Sequence, residues 1–464
     1  MASISSLPPE MLGEIAACFQ DDTPLGAKND WTADQKTLAI LSRVSKPFQY
    51  AAQPLLYRKI YLFVREPAGI NIISLIKVLY HRKDLRSKVD KVQIHFEEEY
   101  SYPLGRTKDE VQNLRHLARN IGQKSLCRAL QGSSGRSGMY RKVLSSLLFS
   151  QLQGVSQVKI TELYGPDFEF DYRKLDRFGN AWSVLPCLLI PPSEAPEALL
   201  QNLVSLYLDA HGTTTMRLSD YHLLARLAPN LGAFSGRRFK SIPVEAFNHF
   251  KKLKHLSLVD APLEDKDSPY QGGFLEIPPG LQYFQYSMHF PYFSGKLNIP
   301  PMKVQRALAE RSDTVNDIHI DFSQGIAADE DEMFDTFEMF KRLEHLSVNP
   351  VDFESDGLMG SGPTAFITTL PRSLQSLTIL NQDRYRHRYR CEDILWLADA
   401  VQKGDFENLE SFTIHVTDED RNLFHTIMGE IWGGIDKPES GEDEASFCVK
   451  VVSETDSREL RCYW

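Results

Sequence analysis

Leu253-Lys254-His255-Leu256-Ser257-Leu258 is the clearest copy of a six-residue pattern that returns throughout the chain. Apolar residues occupy its first, fourth and sixth positions, and the alternation at its end has the period of two that is typical of a β-strand. We call this pattern the repeated step. Eight further copies, some with Val, Ile, Phe or Tyr in place of Leu, lie at residues 89–94, 155–160, 203–208, 281–286, 315–320, 343–348, 374–379 and 409–414.

Several steps are preceded by apolar residues at helical spacing, such as Ile72, Ile73, Ile76 and Leu79. A strand and a helix of this size cannot close a core of their own, so units of this kind stack on copies of themselves and form a solenoid. The alternative is a compact α/β domain with a parallel sheet, in which strands and helices alternate in the same way. Nine steps over about 330 residues exceed the usual strand number of one compact sheet, which favours the solenoid.

The repeated step is similar to the leucine-rich repeats, in a degenerate form. Late steps follow one another at intervals of roughly 28 to 35 residues, and the asparagine of the consensus is mostly absent. The resemblance implies an α/β solenoid, an irregular leucine-rich-repeat horseshoe, over residues 63–464. Residues 433–446 are polar and charged, which predicts an exposed loop within this domain.

Composition limits the class of protein. The chain has 464 residues with a formal net charge of −10 and a pI near 5.8, which argues against non-specific binding to nucleic acid or to an anionic membrane. Its six cysteines are far apart, as in proteins of a reducing compartment. The N-terminus does not resemble a signal peptide, and no apolar run is long enough to cross a bilayer. We therefore expect a cytoplasmic or nuclear protein.

The first sixty residues predict three short helices. Leu7-Pro8-Pro9-Glu10 opens the first, because proline and an acidic residue suit a first helical turn. Further apolar stripes run through residues 38–44 and 48–56. Three helices of about 10 residues each cannot bury all of these stripes against one another. We expect apolar surface to remain for a partner or for the rest of the chain.

These helices also resemble the F-box family, in its form common among fungal proteins. The resemblance lies in three ordered segments: Leu7-Pro8-x-Glu10 with Ile15, then Leu41-x-x-Val44-Ser45-Lys46-x-Phe48, then residues 54–58, PLLYR. The link from Phe19 to Leu38 is longer than is typical of the family. The resemblance implies an all-α F-box domain at residues 1–62 that binds the Skp adaptor, and through it a cullin scaffold. The adaptor-binding residues that it implies are Leu7, Pro8, Glu10, Ile15, Leu41, Val44, Ser45, Lys46 and Phe48.

Two places have the character of a substrate-binding surface. In a leucine-rich solenoid, the residues that alternate with the core leucines line the concave sheet, and here they are polar and varied. Residues 383–390, DRYRHRYR, follow one step directly and concentrate arginine and tyrosine, which dominate binding hot spots. The alternative interpretation is that residues 383–390 form a solvated loop between two repeats. The candidate substrate-binding residues are Tyr207, Asp209, Gln285, His319, Asp321, Asn349, Thr378, Arg384, Arg386 and Arg388.

No motif for catalysis, phosphate binding or metal binding is present. We therefore expect no catalytic residue, metal or cofactor. Together, the resemblances to the F-box family and to leucine-rich repeats imply a substrate-recognition subunit of an SCF-type E3 ubiquitin ligase, which would hold an unknown protein substrate near the ubiquitin-charged enzyme. The alternatives are an interaction scaffold that does not deliver ubiquitin, and an enzyme with a dispersed active site.

Overall fold

The computed structural model has two compact units, residues Met1–Ser241 and Ile242–Trp464. The first contains three N-terminal helices and five strands, and the second contains the remaining strands. The structure describes residues 7–19, 31–64, 70–98, 108–122, 126–127, 130, 144–164, 200–210, 218–239, 242–264, 276–288, 301–322, 334, 336–348, 369–380, 396–397, 400–401, 403–416, 448–453 and 460–463.

All nine repeated steps are confirmed as one buried residue followed by a strand. In the copy at residues 253–258, Leu253, Leu256 and Leu258 are fully buried, while Ser257 lies between them on the other face. The same three positions are buried in the eight other copies. Since burial of one such side chain contributes about 1.5–3 kcal/mol, the steps supply the main apolar core of the chain.

Unit 1 begins with α1 (Pro9–Ala17), α2 (Trp31–Val44) and α3 (Lys46–Arg58). Ala16, Leu38 and Ala52 form their shared core, against which Leu41 and further leucines of α3 pack. α3 continues without a break into β1 (Lys59–Val64). The rest of the unit contains α4 (Ile70–His81), α5 (Lys83–Arg86), β2 (Lys91–Glu98), α6 (Lys108–Asn120), β3 (Gln157–Tyr164), β4 (Ser205–Asp209), α7 (Leu218–Leu227) and β5 (Ala233–Arg237).

The five strands of unit 1 form a parallel sheet in chain order, each paired with the next. The helical stripe predicted at residues 72–79 is confirmed in α4, whose Ile72, Ile73, Ile76 and Leu79 are buried. Parallel strands need crossover connections, and helices such as α4 and α6 provide them.

Unit 2 contains the short strands β6 (Ile242–Pro243) and β8 (Leu263–Glu264), which pair only with each other. Its main sheet has seven parallel strands, paired in the order β7 (His255–Val259), β9 (Tyr283–Ser287), β10 (Asp317–Asp321), β11 (His345–Val348), β12 (Ser376–Ile379), β13 (Ser411–Val416) and β14 (Cys448–Ser453). The helix α8 (Pro301–Ala309) precedes β10.

One backbone arrangement recurs at the start of the strands. The carbonyl oxygen of Ser156 accepts from the N–H groups of both Val204 and Ser205, at 2.8 and 3.0 Å. The carbonyl of Lys254 accepts in the same way from Gln282 and Tyr283, at 2.8 and 2.9 Å. Further carbonyls of this kind belong to Asp90, Val204, Gln282, Asn316, Glu344 and Gln375. We call this arrangement the carbonyl ladder, and it fixes the register of each strand against the preceding one.

The sequence pattern missed β5, which has a shorter version of the step. Leu231 and Phe234 are buried like the first and fourth residues of the other steps, but Gly236 takes the place of the last apolar residue. A Cβ atom there would lie 3.1 Å from the Phe234 ring and 3.2 Å from the Phe239 ring. The two phenylalanine rings therefore fill the space that a sixth-position leucine fills elsewhere.

The end of the chain departs from the parallel pattern. Alternation at Val449 and Val451 predicts a closing strand, and β14 spans both residues and pairs with β13 in parallel. β15 (Leu460–Tyr463) then pairs with β14 in the antiparallel direction.

The architecture is therefore α/β, with an open sheet of parallel strands and associated helices, as the repeated step predicts. The horseshoe shape of the repeats and the F-box identity of the N-terminal helices stay predictions. So do the boundary at residue 62 and the loop at residues 433–446, which lies outside the described residues.

Candidate functional site

The three N-terminal helices expose large apolar side chains, as expected from their sequence. Ile40 and Val44 are 63% and 57% exposed, and they lie four residues apart on one face of α2. Tyr50 on α3 is 76% exposed, and Met11 and Phe19 add to the set. Only three other described residues, Val204, Met339 and Trp396, are large apolar side chains with comparable exposure. Apolar surface is therefore concentrated on the N-terminal helices.

Most residues of the predicted adaptor surface are accessible. Pro8, Glu10 and Lys46 are exposed, like Val44, while Leu7 and Ile15 are half-buried. Pro8 precedes the first residue of α1, and Pro9 occupies a first-turn position without a donor that needs a partner. The accessible residues lie at the start of α1 and at the junction of α2 with α3.

Three of the predicted adaptor residues serve the helices themselves. Phe48 is only 2% exposed, so its ring belongs to the interior and not to a binding surface. Leu41 is half-buried and packs against the shared helical core. Ser45 is the N-cap of α3, because its hydroxyl accepts the N–H of Phe48 at 3.4 Å.

The sheet of unit 1 has one face that the core does not cover. Residues that alternate with the buried positions lie on it, and the strand register places them in rows. We call this set the first sheet face: Lys59, Tyr61, Phe63, Lys91, Gln93, His95, Gln157, Lys159, Thr161, Ser205, Tyr207, Asp209, Ala233, Ser235 and Arg237. It contains four cations, Lys59, Lys91, Lys159 and Arg237, and the acid Asp209, and β2 continues the same alternation to a second acid, Glu97.

Lys159 lies at the centre of this face. Its ammonium nitrogen is 4.7 Å from the centroid of the Tyr207 ring, a cation–π distance. Desolvation by burial lowers the pKa of Lys159, and the positive charge of Arg237 acts in the same direction while Asp209 opposes it. In the part of the chain that the structure describes, no carboxylate lies within ion-pair distance of this ammonium.

An aromatic cluster lies beside Lys159. The His95 ring is 5.1 Å from the Tyr61 ring and 6.3 Å from the Phe63 ring, between centroids. The side-chain amide of Gln93 contacts the Nε2 atom of His95. Burial, with a contribution from the charge of Lys159, lowers the pKa of His95 to about 4. The ring is therefore neutral at physiological pH.

Asp209 and its neighbour Arg238 close one edge of the first sheet face. The Nε of Arg238 donates to Oδ1 of Asp209 at 2.8 Å. Arg238 has a φ of 54°, a left-handed conformation that side chains other than glycine rarely adopt. The ion pair accounts for that conformation, since it gives the buried carboxylate a partner.

Unit 2 carries an equivalent face with different side chains. The hydroxyls of Ser257 and Tyr283 both donate to Oε1 of Gln285, at 2.7 and 3.2 Å. Gln285 lies in register with His319, and Ser347 connects His319 to Thr378 along the same row. We call this row, together with the row of His255, Tyr283, Asp317 and His345, the second sheet face.

Asp317 is the main charged group in the second row. Desolvation by burial raises the pKa of Asp317, and the nearby His345 and His255 act in the opposite direction. The ring centroids of His255 and Tyr283 are 5.9 Å apart. Burial also raises the pKa of Tyr283, and the negative charge of Asp317 adds to that effect.

The predicted substrate-binding residues divide into three groups. Tyr207, Gln285, His319 and Thr378 are half-buried residues of the two sheet faces. Asp209 and Asp321 are only 7% exposed, so little of either carboxylate is available to a partner. Asn349, Arg384, Arg386 and Arg388 lie outside the described residues.

The sequence interpretation missed the residues that give the first sheet face its charge. Lys159 and His95 are alternate residues of the steps at 155–160 and 89–94, so the alternation rule used for the later steps would have found them. Tyr61 and Phe63 had no such signal, because β1 continues from α3 without a step.

The described residues contain no candidate metal site and no candidate membrane-spanning helix. No group of three His, Cys, Asp or Glu side chains there has an arrangement that could hold a metal ion. None of the described helices is long and apolar enough to span a bilayer. No protein-family model matches the chain, and no curated protein matches it.

Proposed function

We propose that this chain is an F-box protein with degenerate leucine-rich repeats, the substrate-recognition subunit of an SCF-type E3 ubiquitin ligase. The exposed apolar surface of α2 is the observation that carries the proposal. Ile40 and Val44 remain largely exposed although they belong to an otherwise packed helical group. Exposed apolar side chains that lie together on one helix face are typical of a protein-interaction site.

The resemblance to the F-box family gives that partner its identity. Its motif passes through Val44 and Lys46, which are exposed at the junction of α2 and α3. The Skp adaptor would cover this junction and the start of α1, where Pro8 and Glu10 are exposed. Phe48 and Leu41 would support the surface from inside.

Hydrogen bonds between the N-terminal helices and the first strands support a model in which the helices bind the adaptor and the sheet binds the substrate. The Nε2 of Gln35 donates to the carbonyl of Lys59 at 2.6 Å, and the N–H of Asp90 donates to the carbonyl of Arg58 at 2.9 Å. α3 is thus tied to the first two strands. A substrate on the sheet would be held at a defined distance from the adaptor and its cullin, which raises the effective concentration of the substrate near the ubiquitin-charged enzyme.

Copurification of the tagged full chain with the Skp adaptor tests the proposal. Val44→Glu places a charge in the apolar contact, so adaptor recovery should fall at least about tenfold. Val204→Glu is the matched control, because Val204 is 50% exposed and lies outside the N-terminal helices. It should retain the adaptor.

Equal recovery of the adaptor with Val44→Glu and Val204→Glu would overturn the proposal. Cullin in the wild-type eluate is the result expected for a ligase subunit. Recovery of the adaptor without cullin would instead support the scaffold that does not deliver ubiquitin.

A further inference from the structure

We infer that the first sheet face binds an acidic segment of a protein, with Lys159 as the residue that receives a carboxylate. The inference deepens the proposed function, since it names the chemistry of the substrate. It depends on the side chains of unit 1 alone and does not use the adaptor surface.

Charge complementarity is the first argument. The chain as a whole is acidic, with a formal net charge of −10. The first sheet face has the opposite character, because its four cations outnumber its two acids, Asp209 and Glu97, and Asp209 already accepts from Arg238. A basic face on an acidic protein attracts an acidic partner and steers its approach.

The surroundings of Lys159 give the second argument. Its ammonium is half-buried against the Tyr207 ring, and in the described structure no carboxylate pairs with it. Burial without an anion is unfavourable for a cation. An arriving carboxylate would pair with Lys159 in a partly desolvated place, where a charge-assisted hydrogen bond is stronger than in bulk water.

The aromatic rings define the rest of the ligand. Tyr61, Phe63 and neutral His95 lie on the β1 and β2 side of Lys159, and Tyr207 lies on the β4 side. Rings on both sides of a cation suit a partner whose acidic residues are flanked by apolar ones. Tyrosine and arginine are also the residue types most enriched in binding hot spots, and Arg237 is exposed beyond Tyr207.

A protein segment fits these observations better than a nucleic acid. A nucleic acid requires cations over a long path to neutralise successive phosphates. Here Lys159, the cation at the centre of the face, is half-buried and lies between aromatic rings. A carboxylate, Asp209, lies on the same face. Among the residues named above for the second sheet face, the charged groups are Asp317 and histidines, and none is a lysine or an arginine.

Fluorescence anisotropy with the full-length chain tests the inference. The probe is a short labelled peptide in which glutamates alternate with leucine and tyrosine, and the comparison peptide has glutamines in place of the glutamates. The glutamate peptide should bind, the glutamine peptide should bind at least about tenfold more weakly, and added salt should weaken binding.

Lys159→Gln should weaken binding of the glutamate peptide about tenfold. Lys88→Gln is the matched control, since exposed Lys88 precedes β2 and is not on the face. Tyr207→Leu should weaken binding and Tyr207→Phe should preserve it, because only the first removes the ring. Thermal unfolding of each variant identifies any that fails to fold, and Lys159→Arg keeps the charge if Lys159→Gln does not fold.

Three results would overturn the inference. One is equal binding of the glutamate and glutamine peptides. Another is binding only when phosphoserines replace the glutamates, and the third is tighter binding of a single-stranded oligonucleotide than of the glutamate peptide. Adaptor recovery measured on the same preparations separates these failures from a failure of the proposed function, because Lys159→Gln should leave adaptor binding unchanged.

Discussion

The two sheet faces have the same backbone and different chemistry. Both are formed by residues that alternate with the buried positions of the repeated step, and the carbonyl ladder sets the register in both. The first face combines lysine and arginine with aromatic rings, whereas the second combines hydroxyls, histidines and Asp317. The buried positions therefore determine the fold, while the alternating positions are free to differ between the two units.

Loss of the ion pair between Asp209 and Arg238 should have the largest effect on stability. Arg238→Ala leaves the buried carboxylate without its 2.8 Å donor, which should lower the free energy of unfolding by about 2 kcal/mol. Arg238→Gly should cost about 1 kcal/mol less, since glycine adopts the φ of 54° without strain.

Denaturant unfolding combined with hydrogen exchange of β4 measures these effects. Arg119→Ala, at an exposed position of α6, is the control and should change stability by less than about 0.5 kcal/mol. If Arg238→Ala unfolds like that control, the pair does not maintain the edge of the first face.

The aromatic cluster should make the first face sensitive to acid. The pKa of His95 in the folded chain is about 4, below its ordinary value, so the unfolded chain binds the proton more readily between pH 6.5 and 4. Stability from this group is complete above about pH 6.5 and is lost as the pH falls towards 4. Because the ring is partly exposed, the loss should be about 1–2 kcal/mol.

His95→Phe cannot take up the proton and keeps a ring beside Tyr61. Unfolding curves at several pH values should therefore show a shallower loss between pH 6.5 and 4 for this variant than for the wild type. His116→Gln, at an exposed position of α6, should keep the wild-type slope. Parallel slopes for all three proteins would exclude His95 as the source.

The second face should give the smallest effect, with the opposite sign. The pKa of Asp317 is raised in the folded chain by burial, so its ionisation costs stability progressively as the pH rises above the ordinary pKa, and in full above the folded pKa. Asp317→Asn should therefore raise the free energy of unfolding at pH 7 by about 0.5 kcal/mol, after allowance for partial exposure. Below the ordinary pKa of the side chain, the gain should disappear.

Hydrogen exchange of β10 at pH 7 and pH 3 compares Asp317→Asn with the wild type. Asp313→Asn, at an exposed site before the strand, is the neutral control. A destabilising Asp317→Asn would mean that the histidines hold the carboxylate more strongly than burial opposes it.

The sequence predicted the parts of the fold that depend on local periodicity. Leu253, Leu256 and Leu258 are buried because apolar residues at these intervals all face the same way once the segment becomes a strand. β5 was missed because Gly236 replaces the last apolar residue of its step, and the nearby Phe234 and Phe239 rings fill the space instead. β15 was not predicted either, because its antiparallel direction depends on its pairing with β14 and not on a local sequence pattern.

The candidate sites were predictable to different degrees. Exposure of Val44 and Lys46 follows from helical periodicity and the motif, but the buried position of Phe48 follows from packing among three helices. The cluster on the first face was harder to predict from the sequence. Lys159 contacts Tyr207 only because β3 and β4 are adjacent and in one particular register, and that register is a property of the whole sheet.

The carbonyl ladder has a consequence for how the chain tolerates changes of length. At eight strand starts, two consecutive N–H groups share one carbonyl at the start of the preceding strand, so a residue inserted within such a step would displace both donors and reverse the faces of the strand. Insertions in the connections leave those donors in place, and the connection from β3 to β4 is already much longer than that from β4 to β5. Natural variants of this protein should therefore differ in length between steps and almost never inside them.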